Sequence, residues 1–232
     1  MNKIYFTKDA ISFYEALKQN NNKEWFAENR YIYDTKVIPQ AKEYIMDMGQ
    51  KLKSIVPDIN YAPKIDGSIF RIHKDARINK GKVPFKTHLG IIFWSGNSRL
   101  SNPCFYLHIE PPFYYTGVGI ARFSPEILSS YRFMVNSKKY QNTLINIKNT
   151  VQANYFNILG DKLKNVPKGI EPVNHTAAEF LKYKSIYIND EMPINKDFYS
   201  DDFFSYTFDI FSKMKDFFIF LANVCRNTKS SH

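Results

Sequence analysis

The sequence predicts an α+β fold: a mainly antiparallel sheet in the middle of the chain, flanked by N-terminal and C-terminal helices. Three observations predict it. Apolar residues recur at helical spacing through residues 1–56, alternation with a period of two dominates 66–121, and helical spacing returns over 124–228. Strands that follow one another so closely leave no room for crossover helices, so they pair antiparallel. No repeat, low-complexity linker or shift in composition divides the 232 residues, and a single α+β domain spanning 1–232 is expected.

The helical opening has its own punctuation. Thr7 can cap a first helix in which Ala10, Ile11, Tyr14 and Leu17 share a face, and the run Gln19-Asn20-Asn21-Asn22 ends it. Asn21 followed by Glu24 resembles a capping box for a second helix carrying Trp25, Phe26, Tyr33 and Val37 up to Pro39. A third helix is expected over 40–55, with Tyr44, Ile45, Met48 and Leu52 inward and Pro57 beyond its end.

The stretch from Ser68 to Trp94 organises the middle. Arg71, His73, Asp75 and Arg77 fall on one parity, and Ile72, Lys74, Ala76 and Ile78 on the other. After a turn at Asn79-Lys80-Gly81-Lys82, Val83, Phe85, Leu89, Ile91 and Phe93 share one face while Pro84, Lys86 and His88 take the opposite one. The expectation is a two-stranded antiparallel unit whose polar face gathers Arg71, His73, Asp75, Arg77, Lys86 and His88. Two more strands follow, Cys104 to Glu110, with Tyr106, His108 and Glu110 on its polar parity, and Phe113 to Ala121, where Gly117 and Gly119 mark a bulge or a close backbone approach.

In the last part, Ser124-Pro125-Glu126 is a helix start, Ser137 caps the next helix, and 165–174 is a loop. Thr176 with Glu179 reads as a capping box, Ile186 to Ile188 as an edge strand, and Asp201 to about Arg226 as one long aromatic helix.

The chain carries a net charge of +10 and a pI near 9.4, which favours acidic partners. Between Lys64 and His88, seven Lys and Arg stand against Asp66 and Asp75, a local excess of five. The plainer reading of the global charge is an AT-rich genome that favours Lys and Asn at exposed positions. It accounts less well for the local alternation of Arg and Asp. Arginine forks suit carboxylate and phosphate oxygens, and lysine adds a mobile point charge. Arg71, Arg77, Lys82 and Lys86 therefore form a candidate anion site, with Asp75 orienting them and His88, Tyr106 and His108 as hydrogen-bonding or proton-transfer partners. The plainer reading is a solvated lattice of ion pairs. One Asp cannot neutralise Arg71, Arg77 and Lys86 on a partly covered face, which favours the anion site.

Several chemistries lack their signatures. Cys104 and Cys225 are far apart, so neither a disulfide framework nor a cysteine zinc site is indicated. The turn at Asn79–Lys82 lacks P-loop spacing, Gly117-Val118-Gly119 has no third glycine, and there is no GxSxG elbow. His73, His88 and His108 share strand parities but have no HxH or HExxH spacing, so no metal is expected; no cofactor is assigned. The N-terminus has no signal-peptide h-region, and Phe217 to Val224 is too short to span a bilayer, which makes a cytoplasmic protein without membrane partners the expectation.

With those residues in view, the chain resembles a family of bacterial and fungal conserved hypothetical proteins, domain of unknown function 2461. The resemblance rests on Asn21-Asn22-Lys23-Glu24-Trp25-Phe26, the run from Phe70 to His88, Phe105-Tyr106-Leu107-His108-Ile109, Gly117-Val118-Gly119 and Leu181-Lys182-Tyr183-Lys184-Ser185. It spans nearly the whole chain. The family typically has an aromatic residue where Ile78 stands and Tyr where Phe85 stands. The resemblance implies no activity, substrate or cofactor. The leading expectation is thus binding of, or action on, a small anionic ligand at a basic sheet face. A nucleic-acid-binding module, suggested by charge and interleaved aromatics but without a motif, and a non-catalytic interaction protein are the alternatives.

Overall fold

The computed structural model describes residues 3–75 and 83–228, and its class is α+β. In chain order the elements are α1 (Lys8–Gln19), α2 (Lys23–Ile32), α3 (Ile38–Leu52), β1 (Leu89–Trp94), β2 (Cys104–Glu110) and β3 (Phe113–Ile120). They continue with α4 (Pro125–Val135), α5 (Gln141–Ala153), β4 (Asn157–Leu159), α6 (His175–Phe180), β5 (Ile186–Pro193), α7 (Asp202–Lys213) and α8 (Lys215–Asn227). The strands form one antiparallel sheet in the order β1-β2-β3-β5-β4. β5 is therefore an interior strand of eight residues, not the short edge strand its apolar start suggests. The edge is the three-residue β4, whose Ile158 lies opposite Ile188. Among the described residues no helix is long and apolar enough to cross a membrane.

The chain divides into two compact units. The first comprises Met1–Phe93, Tyr106–Thr116 and Glu191–Asp209. Thr7 precedes α1 but its side chain does not cap it; its Oγ1 accepts from Gln40 Nε2 at 2.9 Å instead. Asn22, rather than Asn21, caps α2: its Oδ1 accepts from Trp25 N at 2.8 Å. The Asn21 side chain instead pairs with the backbone of Phe85. Pro39 does not stop the helical run. It has no N–H to return to the chain, and the backbone widens into a π-helical turn at Tyr33–Val37, with Ile38 N–H reaching back to the Tyr33 carbonyl, before α3 continues. The core of this unit is aromatic. Phe13 packs against Trp25 and Tyr33, Phe6 against Phe198 and Phe203, and the buried Tyr44 hydroxyl donates to Thr207 Oγ1 at 2.9 Å.

The second unit comprises Trp94–Phe105, Gly117–Asp190 and Ile210–His232. Phe105 stacks on Phe218 at 4.4 Å, the Tyr131 hydroxyl donates to the Phe180 carbonyl at 3.0 Å, and Ser130 Oγ donates to the Val224 carbonyl at 2.8 Å. Ser124 caps α4 as expected, whereas α6 is capped by Asn174, two residues before Thr176, through Oδ1 and Ala177 N. Gly119 is a close approach: a Cβ there would lie 2.2 Å from Tyr187 Cβ. The expected long C-terminal helix is two, separated at Met214. The buried stripe of Phe211, Met214, Phe217, Phe218 and Leu221 runs through the break without interruption, so spacing alone does not reveal it.

Candidate functional site

β2 follows its sequence pattern closely. Phe105, Leu107 and Ile109 are buried on one face, while Cys104, Tyr106, His108 and Glu110 are half-buried on the other. The stretch before β1 does not. Instead of a regular strand pair, the chain makes isolated antiparallel bridges, Ile69 to Ile91 and His73 to Phe85. The bridges are held by Phe70 N to Gly90 O, Ile92 N to Ser68 O, Lys74 N to Pro84 O and Lys86 N to Ile72 O, all 2.8–3.0 Å. Phe85 and Ile91 are six positions apart, but their partners His73 and Ile69 only four. Two extra residues are thus accommodated between Phe85 and Ile91, a special bulge that suspends the alternation.

The bulge delivers two neighbouring side chains to the polar end of β2. Thr87 Oγ1 donates to Glu110 Oε1 at 2.9 Å. His88 stacks on His108, with ring centroids 4.1 Å apart and planes inclined by 29°. His108 Nε2 lies 3.2 Å from Glu110 Oε2, and Tyr115 of β3 meets the His108 ring edge-on at 5.5 Å. In regular strand geometry Thr87 and His88 would point to opposite faces. Gly90 makes room beneath the site, since a Cβ there would come within 2.9 Å of the Phe70 ring.

The bulged arm is anchored on its far side. Phe85 is 2% exposed and stacks on Phe26 at 4.2 Å. The Asn21 side chain behaves as a strand neighbour, accepting from Phe85 N and donating to Phe85 O, both at 3.0 Å. This binds the start of the Asn-Asn-Lys-Glu-Trp-Phe segment to the arm that carries Thr87 and His88.

Electrostatics follow from the packing. Burial pushes His88 down to about 4, the neighbouring His108 adds to that, and Lys86 and Lys74 act in the same direction; Glu110 opposes them. Burial alone would raise Glu110, but hydrogen bonds to Thr87 and His108 and the charges of the two imidazoles outweigh it and hold the carboxyl below its usual range. The Tyr115 hydroxyl is raised by burial and by Glu191 and Glu110. The site is therefore an ionised carboxylate facing two imidazoles, one of them held neutral.

Of the residues singled out from the sequence, His88 and His108 come together, and Tyr106 shares the half-buried face of β2. Arg71 and Lys86 are neighbours of a different kind. Lys86 Nζ donates to the Arg71 carbonyl at 2.9 Å and lies 5.4 Å over the Phe70 ring. The Arg71 guanidinium is exposed, with Nη2 3.8 Å from Asp75 Oδ2. His73 is exposed, as Arg71 is, with Ile72 buried between them; it stands across from Phe85, and its ring meets Phe85 and Phe26. Arg77 and Lys82, and the turn expected at Asn79–Lys82, lie outside the described residues. Glu110, Thr87 and Tyr115 are the members that sequence reasoning missed. Glu110 was within its reach, because it shares parity with His108 two residues on. Thr87 was not, because it sits on the apolar parity until the bulge turns it.

No curated protein matches this sequence. The family model described as conserved hypothetical protein (DUF2461) matches residues 9–220, which include both arms of the bulged pair, β2 and the histidine–glutamate cluster, and the chain belongs to that family.

Proposed function

We propose that the chain binds a small phosphate- or carboxylate-bearing ligand at the polar end of β1, β2 and β3, beside His88 and His108. The observation that carries this reading is the hydrogen-bond chain from Thr87 through Glu110 to His108, set beside His88 and within electrostatic reach of Lys74 and Lys86. A carboxylate aligned on an imidazole orients the ring and fixes its tautomer, so that its other nitrogen can meet a ligand. Lys86 and Arg71 supply positive charge at the rim, with Asp75 beside the guanidinium. Tyr106 is a further hydrogen-bonding group in this reading. Two cysteines without a disulfide support action in a reducing compartment, the cytoplasm.

A thermal-shift series with inorganic phosphate, nucleotides, small carboxylates and short single-stranded oligonucleotides tests the reading. A ligand at about a hundred times its Kd adds about 2.7 kcal/mol of stability. That shift should disappear in Lys86→Ala and His108→Ala. No shift with any anion, or a shift that both variants retain, overturns the reading. Binding confined to oligonucleotides with a steep salt dependence replaces it with the nucleic-acid alternative.

A further inference from the structure

We infer that His88, His108 and Glu110 bind one divalent transition-metal ion. The three residues each present a ligand atom, and those atoms all lie within 4.8 Å of one another. His108 Nε2 and Glu110 Oε2 are 3.2 Å apart. Two donors at that separation, each about 2.1 Å from a shared ion, subtend roughly 100° at it, between octahedral and tetrahedral angles. Thr87 occupies the other carboxylate oxygen, Oε1, and so leaves Oε2 directed at the imidazole nitrogen. A hydroxyl held on the distal oxygen is the support that metal-bound carboxylates commonly have. Tyr115 packs on the His108 ring and limits its rotation.

The donor set selects the class of ion. Two imidazole nitrogens and one carboxylate suit zinc, ferrous iron, cobalt or nickel; calcium and magnesium prefer oxygen throughout. Three protein ligands leave coordination positions open, as in sites where a metal meets substrate rather than merely staples a fold. His88 has to swing out of its stack on His108, because rings inclined by only 29° do not aim both lone pairs at one point.

The ion also removes a tension in the anion-binding reading, on which this part of the inference rests. Glu110 stands at the centre of the site and repels an anion. A dication on Glu110 and the two neutral imidazoles leaves one net positive charge there, and an oxygen of the phosphate or carboxylate can take an open position.

Calorimetric titration of chelator-treated protein with zinc chloride, and visible absorption on adding cobalt(II), test the site. The expected result is one ion per chain, weakened at least about a hundredfold by His108→Ala or Glu110→Gln and about tenfold by Thr87→Val. His175→Ala should leave binding unchanged, since His175 pairs with Glu179 far along the chain. Glu110→Gln keeps the side-chain shape and carries the test if His108→Ala does not fold. Absence of binding, or binding that Glu110→Gln and His108→Ala retain, overturns the inference. Phosphate is titrated separately into chelated and zinc-loaded protein. Zinc binding without any phosphate effect sinks the anion reading alone; a Lys86-dependent phosphate shift in protein that binds no zinc sinks the metal site alone.

Discussion

β2 and the bulged arm from Phe85 to Ile91 lie near each other in sequence and carry the same kind of alternation, yet only one of them obeys it. β2 keeps strict parity from Cys104 to Glu110, with every second side chain buried. The arm takes in two extra residues against its partner, and its Thr87 and His88 both turn towards β2. Regular pairing supplies the platform of His108 and Glu110; broken pairing supplies what is set on it. A bulge beside a cluster of titratable groups is a common way to re-aim side chains at a functional site.

If the arm is a fixed part of the structure, its anchor matters most. Phe85→Ala removes a buried ring stacked on Phe26 and should cost about 3–5 kcal/mol in urea unfolding. A loss under about 1 kcal/mol would mean that the arm is not held by its aromatic contact.

The pH dependence of stability should separate the two regions next. His88 falls to about 4 on folding, from its ordinary 6.5. Above pH 6.5 it is neutral in both states and costs nothing. As pH falls from 6.5 towards 4 the unfolded chain takes up the proton and the folded one resists, so stability declines by up to about 3 kcal/mol. Denaturant unfolding of chelated protein across that window should show the decline, and His88→Gln should flatten it. Equal slopes in both proteins would contradict the burial of His88.

Asn21→Ala should be milder. It leaves the Phe85 N–H and carbonyl without their side-chain partner, at a cost of about 1–3 kcal/mol, and Asn21→Asp, which keeps the acceptor alone, should recover part of it. Arg71→Ala should be nearly silent. Its ion pair with Asp75 is long and its side chain about half exposed, so unfolding free energy should change by less than about 0.5 kcal/mol.

These contrasts also show what was legible in advance. Period-two and period-3.6 patterns identify the α+β class and β2, and capping chemistry finds Ser124, because these depend on residues close in sequence. Asn22 and Asn174 were each missed by one or two positions because several Asn and Thr candidates stand side by side. The break at Met214 is hidden by a continuous apolar stripe, and the place of β5 inside the sheet depends on a three-residue partner too short to announce itself. His88 and His108 were recognisable as chemistry-bearing residues. Their meeting depends on a register shift between Ile69–His73 and Phe85–Ile91, which local pattern does not encode. The contact of the exposed His73 ring with Phe85 likewise depends on which residues face each other across the pair.

The most direct measurement of the account is a double-mutant cycle on the bond between the bulge and β2, using Thr87→Val, Glu110→Gln and the pair. A hydrogen bond from Thr87 to an ionised, part-buried Glu110 predicts a coupling energy of about 1 kcal/mol or more in unfolding free energy. Additivity within about 0.3 kcal/mol would mean that the bulge does not bring Thr87 to Glu110, and the site assembled around that contact would have to be abandoned.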